Sequence, residues 1–231
     1  MKITFYGHAT FKIVTPEGIC ILIDPWLDNP QSPAEKDLGP YDLILITHAH
    51  GDHLGNVLEI ARTAATEVVA IHEIQQYLLA RGIPNVTGMN IGGNYRTKGL
   101  KITMVPARHS SSIQEEEALF YGGEAAGFVV RLEDGRAFYH AGDTGLFYDM
   151  KLIGELYQPE VAFLPIGDHY VMGPQEAAKA CQLLRPKIVI PMHFGTFPLL
   201  TGSPEAFARY LKEMAPEVEL RVLKPGETIE L

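Results

Sequence analysis

The sequence predicts an α/β fold in which helices cover sheets, organised as a single domain spanning residues 1–231. Three observations carry this. Short runs rich in Ile, Val, Phe and Thr recur between turn residues. Helix-like segments alternate with them in both halves of the chain. No shift in composition marks a linker.

Taken in order, strands are expected at Lys2–Tyr6, Thr10–Thr15 and Ile19–Ile23, with Pro16–Gly18 turning the hairpin between the second and third. Leu43–Ile46 is fully apolar, as in a strand buried on both faces. A helix follows over Asn56–Arg62. Glu67–Ile71 reads as a strand, and Glu73–Arg81 as a helix stopped by Gly82 and Pro84. Leu100–Val105 is the next strand. Ser110–Gly123 has no clean period and holds the acidic triplet Glu115–Glu117, so it is expected to be a long loop. Ala126–Leu132 and Arg136–His140 form a hairpin turned at Asp134–Gly135. Leu146–Leu156 is expected to be helical, and Val161–Pro165, Lys187–Pro191 and Glu219–Leu223 extended. Pro174–Leu184 and Pro204–Met214 each open with proline at a first helical position.

Composition narrows the function. Hydrophobic residues make up 46% and charged residues 20%, as in ordinary globular proteins. A net charge of −9 disfavours a phosphate backbone as partner. The N-terminus alternates apolar and polar residues and lacks the apolar core of a signal peptide, and no apolar run approaches the roughly 20 residues that cross a bilayer. A cytoplasmic location and no membrane partner are therefore expected. Cys20 and Cys181 form no CxxC and are expected as reduced thiols.

The histidines carry the chemistry. Of nine, three fall in Thr47-His48-Ala49-His50-Gly51-Asp52-His53, directly after the apolar run Leu43–Ile46. Packing does not explain three imidazoles and a carboxylate in one loop, because buried polar groups need partners. A divalent metal satisfies them together. His109, Asp143 and His193 each follow a predicted strand, where α/β folds place chemistry. Seven N/O ligands and no cysteine point to an open catalytic site rather than closed structural zinc.

HxHxDH, a later lone His, Gly142-Asp143-Thr144 and a final His, in this order, resemble the metallo-β-lactamase superfamily. More narrowly, nearly the whole chain is similar to small metal-dependent hydrolases related to L-ascorbate-6-phosphate lactonase. The matching segments include Tyr6-Gly7-His8-Ala9-Thr10, Leu22-Ile23-Asp24-Pro25, Ile91-Gly92-Gly93, Tyr139–Thr144, Phe163–Asp168, Met172-Gly173-Pro174 and Pro191-Met192-His193. Val171 departs from the Thr that usually precedes Met-Gly-Pro in those proteins.

The resemblance implies a four-layer αβ/βα sandwich of the metallo-β-lactamase fold, with the site on one edge of two packed sheets. It implies two divalent ions, zinc first, with manganese, iron or nickel as alternatives. His48, His50 and His109 would hold one ion, Asp52, His53 and His193 the other, and Asp143 would bridge them. Asp24 would orient a ligand histidine. The expected reaction is hydrolysis of a small ester, lactone or phosphodiester by a bridging hydroxide. Asp52, His8 and His140 are expected as catalytic groups, the two histidines as candidate proton donors. A homo-oligomer is expected from the relatives. The rival functions are a nuclease acting on nucleic acid and a metal-dependent metabolite sensor without turnover.

Overall fold

The structure, a computed structural model, describes residues 1–33, 35–62 and 65–231. The first half contains β1 (Lys2–Phe5), β2 (Phe11–Val14), β3 (Cys20–Ile23), β4 (Leu43–Leu45), α1 (Gly51–Leu54), α2 (Val57–Ile60), β5 (Glu67–Ile71), α3 (His72–Ala80) and β6 (Val86–Met89). The second contains β7 (Asn94–Thr97), β8 (Leu100–Pro106), β9 (Ser112–Glu115), β10 (Ala118–Tyr121), β11 (Ala126–Arg131), β12 (Ala137–His140), α4 (Met150–Tyr157), β13 (Val161–Pro165), α5 (Pro174–Leu184), β14 (Ile188–Met192), α6 (Pro204–Met214) and β15 (Glu219–Leu220). The chain closes with β16 (Thr228–Glu230).

Two seven-stranded sheets result, ordered β16-β1-β2-β3-β4-β5-β6 and β15-β14-β13-β12-β11-β8-β7. Each is antiparallel on one side and parallel on the other. Pairing becomes parallel from β3 to β6 in the first sheet and from β12 to β15 in the second. The sheets meet face to face. Phe11 on β2 packs its ring 4.5 Å from that of Phe163 on β13, and Phe11 also stacks on Phe5 at 4.8 Å. β5 and β13 are buried along their whole length; β13 is unbroken apolar, and the one charged residue of β5, Glu67, is satisfied by Thr87, Tyr95 and Thr97. α3 packs against β5 and β6, while α4, α5 and α6 pack side by side.

This topology decides where chemistry collects. β1, β3 and β4 run in one direction in their sheet, and β8, β12, β13 and β14 share a direction in theirs. The residues following these strands include His8, Asp24, His48, His109, Asp143 and His193. Crevices beyond the carboxyl ends of parallel strands are the standard place for ligands in such sheets.

The structure corrects four expectations. The stretch 110–123 is not a loop but contains the hairpin β9–β10. Every residue of β10 is exposed, so no apolar alternation announces it. The hairpin is tied to the last turn of α3 by the Glu115–Arg81 ion pair. The helix expected from Leu146 begins at Met150, and the one expected over Asn56–Arg62 is only Val57–Ile60. The ligand segment itself winds into the single turn α1. The proline-led helices stand as expected, and Ser203 caps α6 by accepting from Ala206 N at 3.2 Å.

One glycine is needed to deliver a site residue. Gly142 has φ +60°, and a Cβ there would lie 2.8 Å from Ala126 O and from Thr47 Cβ. Gly142→Ala is expected to cost about 2–4 kcal/mol, from the left-handed backbone plus overpacking. Chemical denaturation measures it; a variant within 0.5 kcal/mol of wild type, roughly the noise of a neutral change, shows that the turn relaxes.

Candidate metal centre

The structure brings the seven expected ligands together. His48, His50 and His109 place their ligand atoms within 4.8 Å of one another, and so do Asp52, His53 and His193, with His8 joining this second group. His48, His53 and Asp143 form a third such set, which links the other two. The Oδ2 of Asp143 lies 3.0 Å from His193 Nε2, 3.3 Å from His53 Nε2, 3.6 Å from His109 Nε2 and 4.0 Å from His48 Nε2. One carboxylate thus faces four imidazoles drawn from both sheets.

Asp24 organises the first sheet's contribution. It is fully buried, with φ +48°. Its Oδ1 accepts from Thr47 N at 2.9 Å, and its Oδ2 accepts from Thr47 Oγ1 at 2.8 Å and pairs with His53 Nδ1 at 2.8 Å. A carboxylate can only accept, so His53 carries a proton on Nδ1 and turns Nε2 towards Asp143. His8 and His193 also sit at positive φ, +54° and +56°. Non-glycine residues in that region cost on the order of 1–3 kcal/mol each and collect at functional sites.

The donor set fits a divalent cation. His53 Nε2 and Asp143 Oδ1 are buried and have no hydrogen-bond partner among the described residues. His48 Nε2 faces His50 Nδ1 at 3.0 Å, an arrangement of two imidazole nitrogens that a cation between them satisfies. The other nitrogens are spent elsewhere: His48 Nδ1 meets Thr47 Oγ1 at 3.0 Å, and His50 Nε2 lies 3.4 Å from Ser110 Oγ. Burial holds His48, His50 and His109 below the ordinary imidazole value, which leaves them neutral and ready to coordinate. Asp143 is raised by burial, but the neighbouring His193 and His53 outweigh this and hold it well below the usual carboxylate range. His53 is lowered by burial, but Asp143, Asp24 and Asp52 outweigh it and raise it well above its ordinary value.

Other candidates are placed less centrally. His140 is fully buried on β12, with Nε2 3.1 Å from Ala9 O and Nδ1 accepting from Gly142 N at 3.2 Å. It belongs to none of the three ligand groups. His72 opens α3 at the surface, and His169 is exposed with φ +56°. Arg108 and Ser110 are exposed beside His109. Ser111 is buried and braces the ligand loop, accepting from Ala49 N at 3.1 Å and donating to Gly122 O at 3.2 Å. Thr196 and Gln31, which sequence reasoning missed, reach the site through His8. No motif or spacing announces either residue.

Comparison with known proteins agrees with this geometry. Residues 20–194 match the model of the β-lactamase superfamily domain. The chain belongs to that superfamily. It is 52% identical to a UPF0173 metal-dependent hydrolase of Rubrobacter xylanophilus, over 99% of this chain and 96% of that protein. It is 50% identical to one from Methanopyrus kandleri over the full length of both. The solved structure of Igni18, a metallo hydrolase of Ignicoccus hospitalis, superposes with a TM-score of 0.88 at 42% identity, covering 99% of this chain and 97% of that one. The UPF0173 chain described here is accordingly a metal-dependent hydrolase with the metallo-β-lactamase fold, an α/β sandwich, as its motifs implied.

Its buried imidazoles are expected to make the metal-stripped protein sensitive to acid. Burial lowers His8, to about 4, and also His48, His50, His109 and His140. Unfolding returns each to about 6.5. Their contribution to stability is therefore present above that value and is lost as pH falls towards the folded values. His53 has the opposite sign: its contribution is complete below about 6.5 and is lost as pH rises through its raised folded value. Five groups outweigh one. Between pH 7 and 5, stability should fall by up to about 1.4 kcal/mol per pH unit for each fully buried group. Melting curves in EDTA at several pH values check this; a melting temperature that is flat or rises on acidification contradicts it.

Proposed function

We propose that this UPF0173 protein acts as one hydrolase domain that uses two divalent ions to cleave a small ester, lactone or phosphodiester. The observation that carries this is the pair of three-residue ligand groups with Asp143 between them. His48, His50 and His109 would hold one ion, Asp52, His53 and His193 the other, and Asp143 would reach both. Zinc is the leading choice, with manganese, iron or nickel compatible with the same donors. When bound, such ions supply Lewis acidity and bring the pKa of a shared water towards neutrality.

The protein's own part is orientation. Asp24 fixes the tautomer of His53, and Ser111 holds the backbone between His48 and His50 in place. Both nitrogens of His140 are engaged by backbone groups, so its role is to pin the β12 turn before Asp143 rather than to protonate a leaving group. Half-buried Asp52 borders solvent, which leaves the site open to a ligand. A small substrate, rather than a nucleic acid, accords with the net charge of −9. Among the described residues no helix is long and apolar enough to cross a membrane, and we place the enzyme in the cytoplasm.

Screening zinc- and manganese-loaded protein against lactones, bis-p-nitrophenyl phosphate and thioesters tests this reading. Turnover of at least one class, abolished by removing ligands, is the expected result. No turnover on the whole panel, together with tight binding of one metabolite, would overturn it in favour of a sensor.

A further inference from the structure

His8 occupies a decisive position in the second ligand group. Its Nε2 lies 3.0 Å from Asp52 Oδ2 and its Nδ1 lies 2.9 Å from Thr196 Oγ1. The ring is fully buried, edge-on to Trp26 and Phe197 and 3.9 Å from the His193 ring. Its backbone is pinned as well: His193 N donates to His8 O at 2.7 Å. Gln31 joins the two loops, accepting from His8 N at 3.3 Å and donating to Phe194 O at 3.0 Å.

A neutral imidazole has one N–H, so two arrangements compete. In the first, Nδ1–H donates to Thr196, whose own proton goes to Gln31 Oε1. Nε2 then presents a lone pair, and His8 becomes a further metal ligand. In the second, Thr196 donates to Nδ1, and Nε2–H donates to Asp52. The distances separate them. Thr196 Oγ1 is 2.9 Å from His8 Nδ1 but 3.3 Å from Gln31 Oε1. A lone pair on Nε2 would meet a carboxylate oxygen, which only accepts, at 3.0 Å. The second arrangement pairs both ring nitrogens and opposes only Thr196 Oγ1 and Gln31 Oε1, at the longer 3.3 Å.

We infer that Thr196 is a positioning residue: its hydroxyl donates to Nδ1 of His8 and anchors the ring, whose Nε2–H donates to Asp52 and orients it from behind. His8 is then a donor to Asp52 rather than a ligand or a proton source for substrate. This deepens the dinuclear reading, because it takes Asp52 as a ligand. It also explains why Thr196, on the loop after β14, is buried against a residue from the β1–β2 turn.

Long-range proton–nitrogen correlation spectra of 15N-labelled protein, zinc-loaded and chelated, read the tautomer directly. The wild type should show His8 as Nε2–H in both. Thr196→Val keeps the shape but removes the donor. Asp52 still accepts from Nε2–H, so the tautomer should persist, but Nδ1 loses its partner and the ring its anchor, and the second zinc equivalent should weaken roughly tenfold, the lower end for outlying partners of a ligand. Thr196→Ser should restore the affinity. A wild-type spectrum with Nδ1–H, or zinc bound at Nε2, overturns the inference. So does a folded Thr196→Val protein with unchanged zinc affinity. These readouts need no substrate, so a failure of the hydrolase reading would be seen separately, in the turnover screen.

Discussion

The His50→Ala/Asp143→Ala double variant is expected to purify with metal at background level and to lose at least about 10³-fold in turnover, equivalent to roughly 4 kcal/mol of transition-state stabilisation. The two residues do different things. His50 supplies one of three nitrogens in its group, and its Nδ1 sits 3.0 Å from His48 Nε2. Its loss alone should weaken one ion and spare the other. Asp143 is the carboxylate within 4.0 Å of imidazoles from both groups. In the proposed two-ion arrangement, the attraction that offsets placing two cations side by side would be gone without it, and both ions should weaken together. Elemental analysis after remetallation and desalting separates the cases: two equivalents per chain for wild type, one for His50→Ala, none for the double variant. Circular dichroism confirms that each protein is folded. Wild-type metal content in the double variant would remove the basis for the proposed chemistry.

Much of this centre was readable because its ligands obey two local rules. The three imidazoles and Asp52 fall in one short segment after an apolar strand, and His109, Asp143 and His193 follow strands that β-branched or aromatic runs announce. What escaped reading lacks such a signal. β10 faces solvent on every residue, and β6 is interrupted by Gly88, so neither shows a period. β16 pairs with β1 across more than 220 residues, a contact set by sheet closure rather than by local sequence. The same holds within the site. Thr196 meets His8 at a separation of 188 residues, and Gln31 reaches Phe194 across 163. A threonine or glutamine in a loop is indistinguishable by type from solvated neighbours; only the folded arrangement makes it a partner. His140 shows the converse. Its motif suggests chemistry, and in the structure it is buried on β12 with a backbone contact at each ring nitrogen.

Asp24 offers the sharpest separation of folding from function. Asp24→Ala is expected to destabilise the metal-free protein by about 3–5 kcal/mol, the usual cost of leaving one partner of a buried ion pair behind. Three donors lose their acceptor at once: Thr47 N, Thr47 Oγ1 and His53 Nδ1. Alanine also tolerates the φ of +48° poorly, whereas aspartate and asparagine enter that region more readily. Asp24→Asn should therefore cost less stability, because volume, backbone preference and one carbonyl acceptor survive. Its metal binding should nevertheless fall as far as in the alanine variant, about 10–100-fold. With the carbonyl on Thr47 N, the amide NH2 faces His53 Nδ1 and favours a lone pair there. The imidazole proton then moves to Nε2, the atom that points at Asp143, and blocks coordination. Urea denaturation and zinc titration of the three proteins side by side test both halves. An asparagine variant that keeps wild-type zinc affinity would show that charge and tautomer at His53 do not govern the ion, and that Asp24 serves the fold alone.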